Sequence, residues 1–550
     1  MNHSVRHIAL LLLAVGLVIM SGQTLNAEEL YNLEILFKKT YNDLEPDSIV
    51  IFGEAICGAG DVNGDGYDDI AAAGWEYNPP LGWRCMTFVF LGGSPMDTIP
   101  DFILKDTYWG GSPWARLAGG DVNGDSFSDI VVGLPYGPGN IDIYFGGNPM
   151  DTIVDLVLWE PPTGSDFASD VSTGDVNGDG YCDVVASDYY KDSGKGAAYV
   201  FYGGPLLDNL PDITLRGHGA EGFGMTVGSG GDVNSDGYDE IVVGAWVNSE
   251  KYFEGGRVYV YYGGDPMDTT YDAAMYGEGV GQHLGWDGVS IAENTYTHDF
   301  VIAGTQFWPR GFPFWSPGKV YVLFGGDPMD SIPDVWMHGQ TDTSSLGPTS
   351  GAGDIDGDGV HDVIAGAHAE SGRLGAVYVW LAGIGMDTIP DAWIKGDSAF
   401  AEPGWRVASA GDVDGDGKDE VMLSNYAAST PRHTVWVCKY TGTGIDEEHV
   451  LKSPVQPSQR ISCIPNPFRH STTIRISPQR YTEGTQDPDV LLAIHDATGR
   501  LIRRLEIENN SSAVTWDGKD MNGKDVGSGV YFAKVNSAHQ VPPEKLLLIR

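Results

Sequence analysis

The chain has 550 residues, with 32 Lys+Arg against 76 Asp+Glu and a formal net charge of −44. This balance excludes a nucleic-acid partner, whose phosphates would be repelled rather than neutralised, and disfavours an anionic membrane surface. The 76 glycines and 11% aromatic residues favour a turn-rich all-β protein with several cores over helical bundles.

At the N-terminus, Arg6 precedes an apolar run from Ile8 to Met20, and a polar segment follows that ends Leu25-Asn26-Ala27. The run is too short to span a bilayer, so residues 1–27 read as a secretory signal peptide cleaved after Ala27, with a membrane anchor as the alternative. The expected location is secreted, extracellular or on the outer cell surface of a bacterium. Calcium is plentiful there, so weak sites stay filled. The five cysteines (Cys57, Cys85, Cys182, Cys438, Cys463) show no zinc spacing and no disulfide framework, and one pair such as Cys57–Cys85 stays open.

The organising stretch is Asp61-Val62-Asn63-Gly64-Asp65-Gly66-Tyr67-Asp68-Asp69-Ile70. Side-chain oxygens fall on its positions 1, 3, 5 and 9 (Asp61, Asn63, Asp65, Asp69), and the carbonyl of Tyr67 at position 7 offers a fifth ligand. That alternation suits a loop curled around one hard cation, because calcium takes six to eight oxygens in irregular geometry. A plain turn needs no carboxylates at alternate positions. The pattern returns five times. The second copy offers Asp121, Asn123, Asp125, Phe127 and Asp129, and the third Asp175, Asn177, Asp179, Tyr181 and Asp183. The fourth offers Asp232, Asn234, Asp236, Tyr238 and Glu240. The last two offer Asp354, Asp356, Asp358, Val360 and Asp362, then Asp412, Asp414, Asp416, Lys418 and Glu420. About six structural Ca2+ sites are expected. An EF-hand is excluded because position 12 is Ala72 rather than Glu. The flanks, such as Ile130-Val131-Val132-Gly133 and Ile241-Val242-Val243-Gly244, are short β-branched runs stopped by glycine and read as buried strands.

Loop starts are spaced 60, 54, 57 and 58 residues apart, with one gap of 122. A decayed copy fills the gap from Ile291 to Gly304, with Ile291 at position 1, Thr295 as the third ligand and Asp299 at position 9. Each period also holds an aromatic Gly-Gly strand, such as Val89-Phe90-Leu91-Gly92-Gly93, and a segment like Pro95-Met96-Asp97-Thr98-Ile99-Pro100-Asp101 before an outer strand, Phe102-Ile103-Leu104. Four-stranded units repeated radially make a β-propeller, here of seven blades over residues 28–440; a linear solenoid would need caps. The last repeat lacks an outer strand. Leu33-Glu34-Ile35-Leu36-Phe37 is expected to supply it and close the ring, with Ile445–Leu451 as the competitor.

Residues 441–460, with Pro454 and Pro457, read as a linker. Residues 461–550 carry a net charge of +1 and short strands: Thr473–Ile476, Val490–His495, Leu501–Leu505 and Gly529–Ala533. They suit a small Ig-like sandwich.

These motifs resemble the FG-GAP repeats of integrin α-subunit propellers over residues 33–440. Phe52-Gly53 and Phe223-Gly224 match the Phe-Gly element, and Gly133-Leu134-Pro135 and Gly244-Ala245-Trp246 stand where Gly-Ala-Pro would. Glu240 and Glu420 depart from the usual Asp at position 9. The C-terminal stretch is similar both to type IX secretion sorting domains and to the flagellar hook-capping Ig-like domain, which implies secretion machinery as a partner.

Calcium hairpins and Met-Asp-Thr-Ile-Pro turns share one end of every blade, leaving variable loops at the other. The longest runs from Gln306 to Ser316, and its Trp308, Arg310, Phe312, Phe314 and Trp315 have the composition of a recognition hot spot. Trp75, Tyr77, Trp83, Tyr108, Trp109 and Trp114 are further candidates on that face. The expected function is calcium-stabilised binding or adhesion, with a glycan or protein ligand outside the cell. The alternatives are a polysaccharide lyase or hydrolase, for which Glu160, Asp188, Lys191 and His218 are the candidates, or a structural surface-layer spacer. No catalytic constellation is recognisable.

Overall fold

The computed structural model describes residues 29–40, 44, 49–78, 81–106, 114–135, 139–159, 166–307, 316–383, 386–396, 402–425, 433–442, 460–464, 472–477, 491–496, 500–506, 513–521, 523–536 and 544–548. Two units divide at Ile445/Asp446. The signal-peptide residues, the competing Ile445–Leu451 segment and Tyr108, Trp109 and Glu160 lie outside the described residues.

The first unit is all-β and has seven antiparallel sheets of blade form. Two strands open the chain, β1 (Glu29–Tyr31) and β2 (Leu33–Thr40). Blade 1 then follows as β3 (Ile49–Gly60), β4 (Asp69–Asn78), β5 (Gly82–Phe90) and β6 (Phe102–Lys105), hydrogen-bonded in that order. The strand after each acidic loop is buried on both faces, as in Ile70–Ala73 and Ile241–Ala245, because each blade is covered on both sides by its neighbours. First strands of successive blades touch in order, and Pro403–Gly411 of blade 7 returns to β3. The ring is closed, which excludes the solenoid.

Closure follows the expected route: β2 pairs antiparallel with Thr434–Tyr440 as the outer strand of blade 7. Phe37 sits in one hydrophobic cluster with Phe52, Phe88, Phe90, Val435 and Val437, uniting the last blade with the first. β1 was not expected. It adds a fifth strand to blade 6, pairing Glu29–Tyr31 with Trp393–Lys395, and Tyr31 stacks on Trp393 at 4.1 Å. Asn32 turns the chain between the two blades, and its carbonyl accepts from Thr441 N at 2.9 Å.

The recurrent turn motif also has a structural explanation. Asp97 Oδ1 accepts from Ile99 N at 2.6 Å, and Asp101 Oδ2 from Leu91 N at 2.9 Å. Met96, Met150, Met267 and Met329 are buried in the cores between blades. Cys57 and Cys85 are buried free thiols on β3 and β5, with β4 between them, so the pair is not a disulfide. Burial pushes the Cys57 thiol up to about 12.

One carboxylate between blades gives a pH test. Asp142 is 4% exposed; burial first, then the charge of Asp106, pushes its pKa up to about 7, against a bond from Asn140. A raised folded-state pKa contributes stability that is full below the unfolded value near 4 and lost as pH rises through 7. Asp142→Asn is expected to match wild type at pH 4 and to exceed it by about 4 kcal/mol at pH 8, checked by urea unfolding at both pH values. A difference that does not change with pH rejects this account.

Among its described residues the second unit holds two sheets. One comprises Arg460–Ile464, Thr472–Ser477 and Ala513–Trp516; the other comprises Leu501–Glu506, Leu491–Asp496, Gly529–Asn536 and Glu544–Leu548. Ile474, Leu492, Ile494, Trp516 and Tyr531 form its core, as an Ig-like sandwich requires.

Candidate functional site

Each acidic loop joins the first two strands of its blade, and its own amides organise it. In blade 1, Asp61 Oδ1 accepts from Gly64 N at 2.6 Å and Asp65 N at 3.1 Å, while its Oδ2 accepts from Gly66 N at 2.8 Å. Asn63 Oδ1 accepts from Asp65 N, and Asp65 Oδ1 from Tyr67 N. Asp69 is fully buried, its Oδ2 bound by Val62 N at 2.9 Å and its Oδ1 by Gly92 N at 2.7 Å. The first glycine of the Gly-Gly pair thus reads the carboxylate at position 9, and Gly146–Asp129 and Gly203–Asp183 repeat the contact in blades 2 and 3. Burial pushes Asp69, Asp129 and Asp183 up to about 7.

The loops also bind one another. The amide at position 8 of each loop donates to the position-1 carbonyl of the preceding blade: Ser128 to Asp61, Cys182 to Asp121, Asp239 to Asp175, Asp299 to Asp232, His361 to Glu293, Asp419 to Asp354 and Asp68 to Asp412. Seven such bonds run round the ring. Residue 7 of one loop covers glycine 4 of the loop before it. A Cβ on Gly124, whose φ is +81°, would lie 2.0 Å from the Tyr181 ring. Glycine is therefore required there for both space and conformation.

This hydrogen-bond ring corrects the alignment of the fifth repeat. Asp299 makes the position-8 bond and Glu293 receives the position-1 bond, so one residue is missing between them. Asp299 does not stand at position 9, nor Ile291 at position 1; Ile291 lies within the strand Val289–Ala292. Phe300, fully buried, takes the place of the position-9 carboxylate. The loss of the ligand set in blade 5 is thus a deletion together with an apolar replacement.

Acidic clusters that could hold a metal occur in three loops: Asp232, Asp236 and Glu240; Asp354, Asp356 and Asp362; and Asp412, Asp414 and Glu420, each with oxygens within 4.8 Å of one another. Glu240 is fully buried, and its Oε1 has no hydrogen-bond partner among the described residues. Burial pushes its pKa up to about 9. A buried carboxylate oxygen without a donor is costly unless a cation faces it, so the donor set fits a hard divalent ion. In blade 7 a cation is built in, the Lys439 ammonium, 2.5 Å from Asp414 Oδ2 and 2.5 Å from Asp416 Oδ2.

At the opposite ends of blades 4 and 5, half-buried aromatics gather. Trp246 lies 4.2 Å from Trp286 and 5.1 Å from His283, and Phe307 lies 5.3 Å from His283. Trp308, Arg310, Phe312, Phe314 and Trp315 themselves lie outside the described residues, and Phe307 is the last described residue before them. Trp75 is corrected: at 1% exposure it belongs to the core between blades 1 and 2, because its strand runs deeper than the apolar run suggested. Tyr77 and Trp114 are exposed, and Tyr77 contacts Trp83 at 4.9 Å.

A cleft of about 460 Å³ lies beside this cluster, lined by His218, Glu221, Asn248, Glu250, Arg257 and Tyr271. Glu221 is engaged by Tyr259 Oη at 2.9 Å and by Asn248 Nδ2. Arg257 is stacked 4.2 Å from Tyr259 and bonded to Glu250 at 2.9 Å. Asp188 is buried in blade 3, where it accepts from Tyr190 N.

The repeated acidic hairpins sit on a closed seven-bladed β-propeller, and residues 52–77, 223–261, 346–380 and 403–438 match the FG-GAP repeat. Residues 482–540 match the FlgD Ig-like domain. Similar curated proteins include integrin alpha-3 of Cricetulus griseus, 37% identical over 113 residues (19% of this chain, 10% of that protein). Integrin alpha-6 of Homo sapiens is 38% identical over 135 residues (24% and 11%), and integrin alpha pat-2 of Caenorhabditis briggsae 31% over 216 residues (34% and 17%). The chain spans only about a tenth to a sixth of the length of these relatives. The likeness to these integrin α subunits lies in the propeller repeats. Among the described residues no helix is long and apolar enough to cross a membrane.

Proposed function

We propose that this is a secreted or cell-surface binding protein, stabilised by calcium in its acidic hairpins, which recognises a glycan or protein ligand with the opposite loop face. The observation that carries this reading is the division of labour between the two ends of each blade. One end repeats the same amide-organised acidic loop, whereas the other end of blades 4 and 5 collects Trp246, His283, Trp286 and Phe307 beside a cleft. Aromatic clusters of this kind suit stacking on sugar rings or packing around a protein anchor. In this reading the side-chain oxygens and position-7 carbonyls of the loops are the calcium ligands. In the same reading Trp308, Arg310, Phe312, Phe314 and Trp315 are residues that contact the ligand. The Ig-like unit serves sorting to, or tethering at, the outer surface of a bacterium.

A glycan array and a pull-down from extracellular matrix proteins, each with and without EGTA, test this. Retention is expected to need calcium and to be lost in a Trp308→Ala, Trp315→Ala double variant whose melting temperature is unchanged. Undiminished retention by that variant moves the binding surface elsewhere.

A further inference from the structure

The loops of blades 4 and 7 form an internal comparison. Each has a fully buried glutamate at position 9 in a cluster of three carboxylates, Asp232–Asp236–Glu240 in one and Asp412–Asp414–Glu420 in the other. They differ in what lies beside the cluster. In blade 7 the Lys439 Nζ lies 2.5 Å from both Asp414 Oδ2 and Asp416 Oδ2 and 4.0 Å from Glu420 Oε1. It therefore spans carboxylates at positions 3, 5 and 9, the space a bound cation would share.

The register shows why Lys439 reaches this cluster. Lys439 directly follows Cys438, which pairs with Val421 at the start of the buried second strand. In the other blades the residue after the corresponding partner is uncharged, as with Leu91 after Phe90, Tyr262 after Tyr261 and Leu381 after Trp380. Blade 7 also lacks the Gly-Gly pair and carries Tyr440-Thr441 instead. The first glycine of that pair is the one that binds the position-9 carboxylate in blades 1, 2 and 3.

We infer that the seventh loop is neutralised by the Lys439 ammonium and takes no calcium, so that the blade sealing the ring is held without metal while the other five acidic loops depend on it. An ammonium has three donors and no lone pair, so it cannot serve as a ligand and repels a dication at the same place. Calcium could enter only after two charge-assisted hydrogen bonds to Asp414 and Asp416 were broken. Lys439 is carried on the strand that pairs with β2, so the tethered charge sits in the blade where the two ends of the propeller chain meet. This inference rests on the calcium reading of the other loops.

The test is a count of ions. The full chain is stripped with EGTA, and calcium is restored in equilibrium dialysis with radiolabelled calcium. Wild type is expected to take five ions. Lys439→Leu, which installs the residue that blades 1 and 6 carry at this place, is expected to take six. Equal counts in the two proteins overturn the inference. No calcium in either overturns the calcium reading of every loop, and this inference with it. Should Lys439→Leu fail to fold, Lys439→Met is counted in the same way. A wild-type crystal grown in calcium gives an independent reading, in which an ion inside the seventh loop overturns the inference.

Discussion

Chelation with EGTA is expected to lower the melting temperature of the propeller by roughly 15 °C. At free calcium a hundredfold above Kd, each filled loop adds about 2.7 kcal/mol, so five independent loops add about 13. An unfolding entropy of about 2.1 cal/mol/K per residue over about 400 residues converts that into the stated shift. The stripped protein would keep its backbone pattern but hold carboxylates such as Glu240 buried without a counter-ion. Because each loop also donates to the one before it, softened loops should weaken the whole ring of seven bonds rather than one hairpin. Calorimetry of calcium-loaded and stripped protein checks this. A melt unmoved by verified removal of the ion rejects structural calcium.

The second large effect is expected at the closing strand. Phe37 is 1% exposed and meets Phe90 edge-on at 5.0 Å, within the cluster that unites blades 7 and 1. Phe37→Ala should cost about 3–5 kcal/mol, the usual range for emptying an aromatic core position. Amide exchange in Thr434–Tyr440 should rise, because that strand would lose its outer partner. Glu34→Ala, on the exposed side of the same strand, should change stability by no more than about 0.5 kcal/mol. Urea unfolding of the two variants separates the cases, and a Phe37→Ala cost below 1 kcal/mol would mean that the ring is sealed elsewhere.

The number of blades, the strand order and the closing strand were legible because chemistry restricts them. Alternating carboxylates have few uses in a plain turn, and their spacing sets the period. The sequence pattern places Asp299 one position too late because blade 1 carries Asp68 and Asp69 side by side. A lone Asp299 could then represent either, and only the position-8 hydrogen bond to Asp232 separates them. Lys439 gives no signal in the sequence because it lies 19 residues beyond Glu420 and meets it only through the register of the blade. β1 has three residues, too few for a periodic signal. The burial of Trp75 depended on how far β4 extends, which an apolar pattern does not fix.

The pairing of β1 and β2 with strands about 360 and 400 positions later has a consequence for how the molecule is made. Glu29–Tyr31 must wait for Ala392–Lys395, and Leu33–Thr40 for Thr434–Tyr440. The first strands of the propeller to be made are thus the last to find their places, and blades 1 to 5 must accumulate on their own local hairpins with an open edge at each end. A nascent chain stalled before residue 434 would present unpaired backbone to its neighbours, so a holding factor is most useful during that interval.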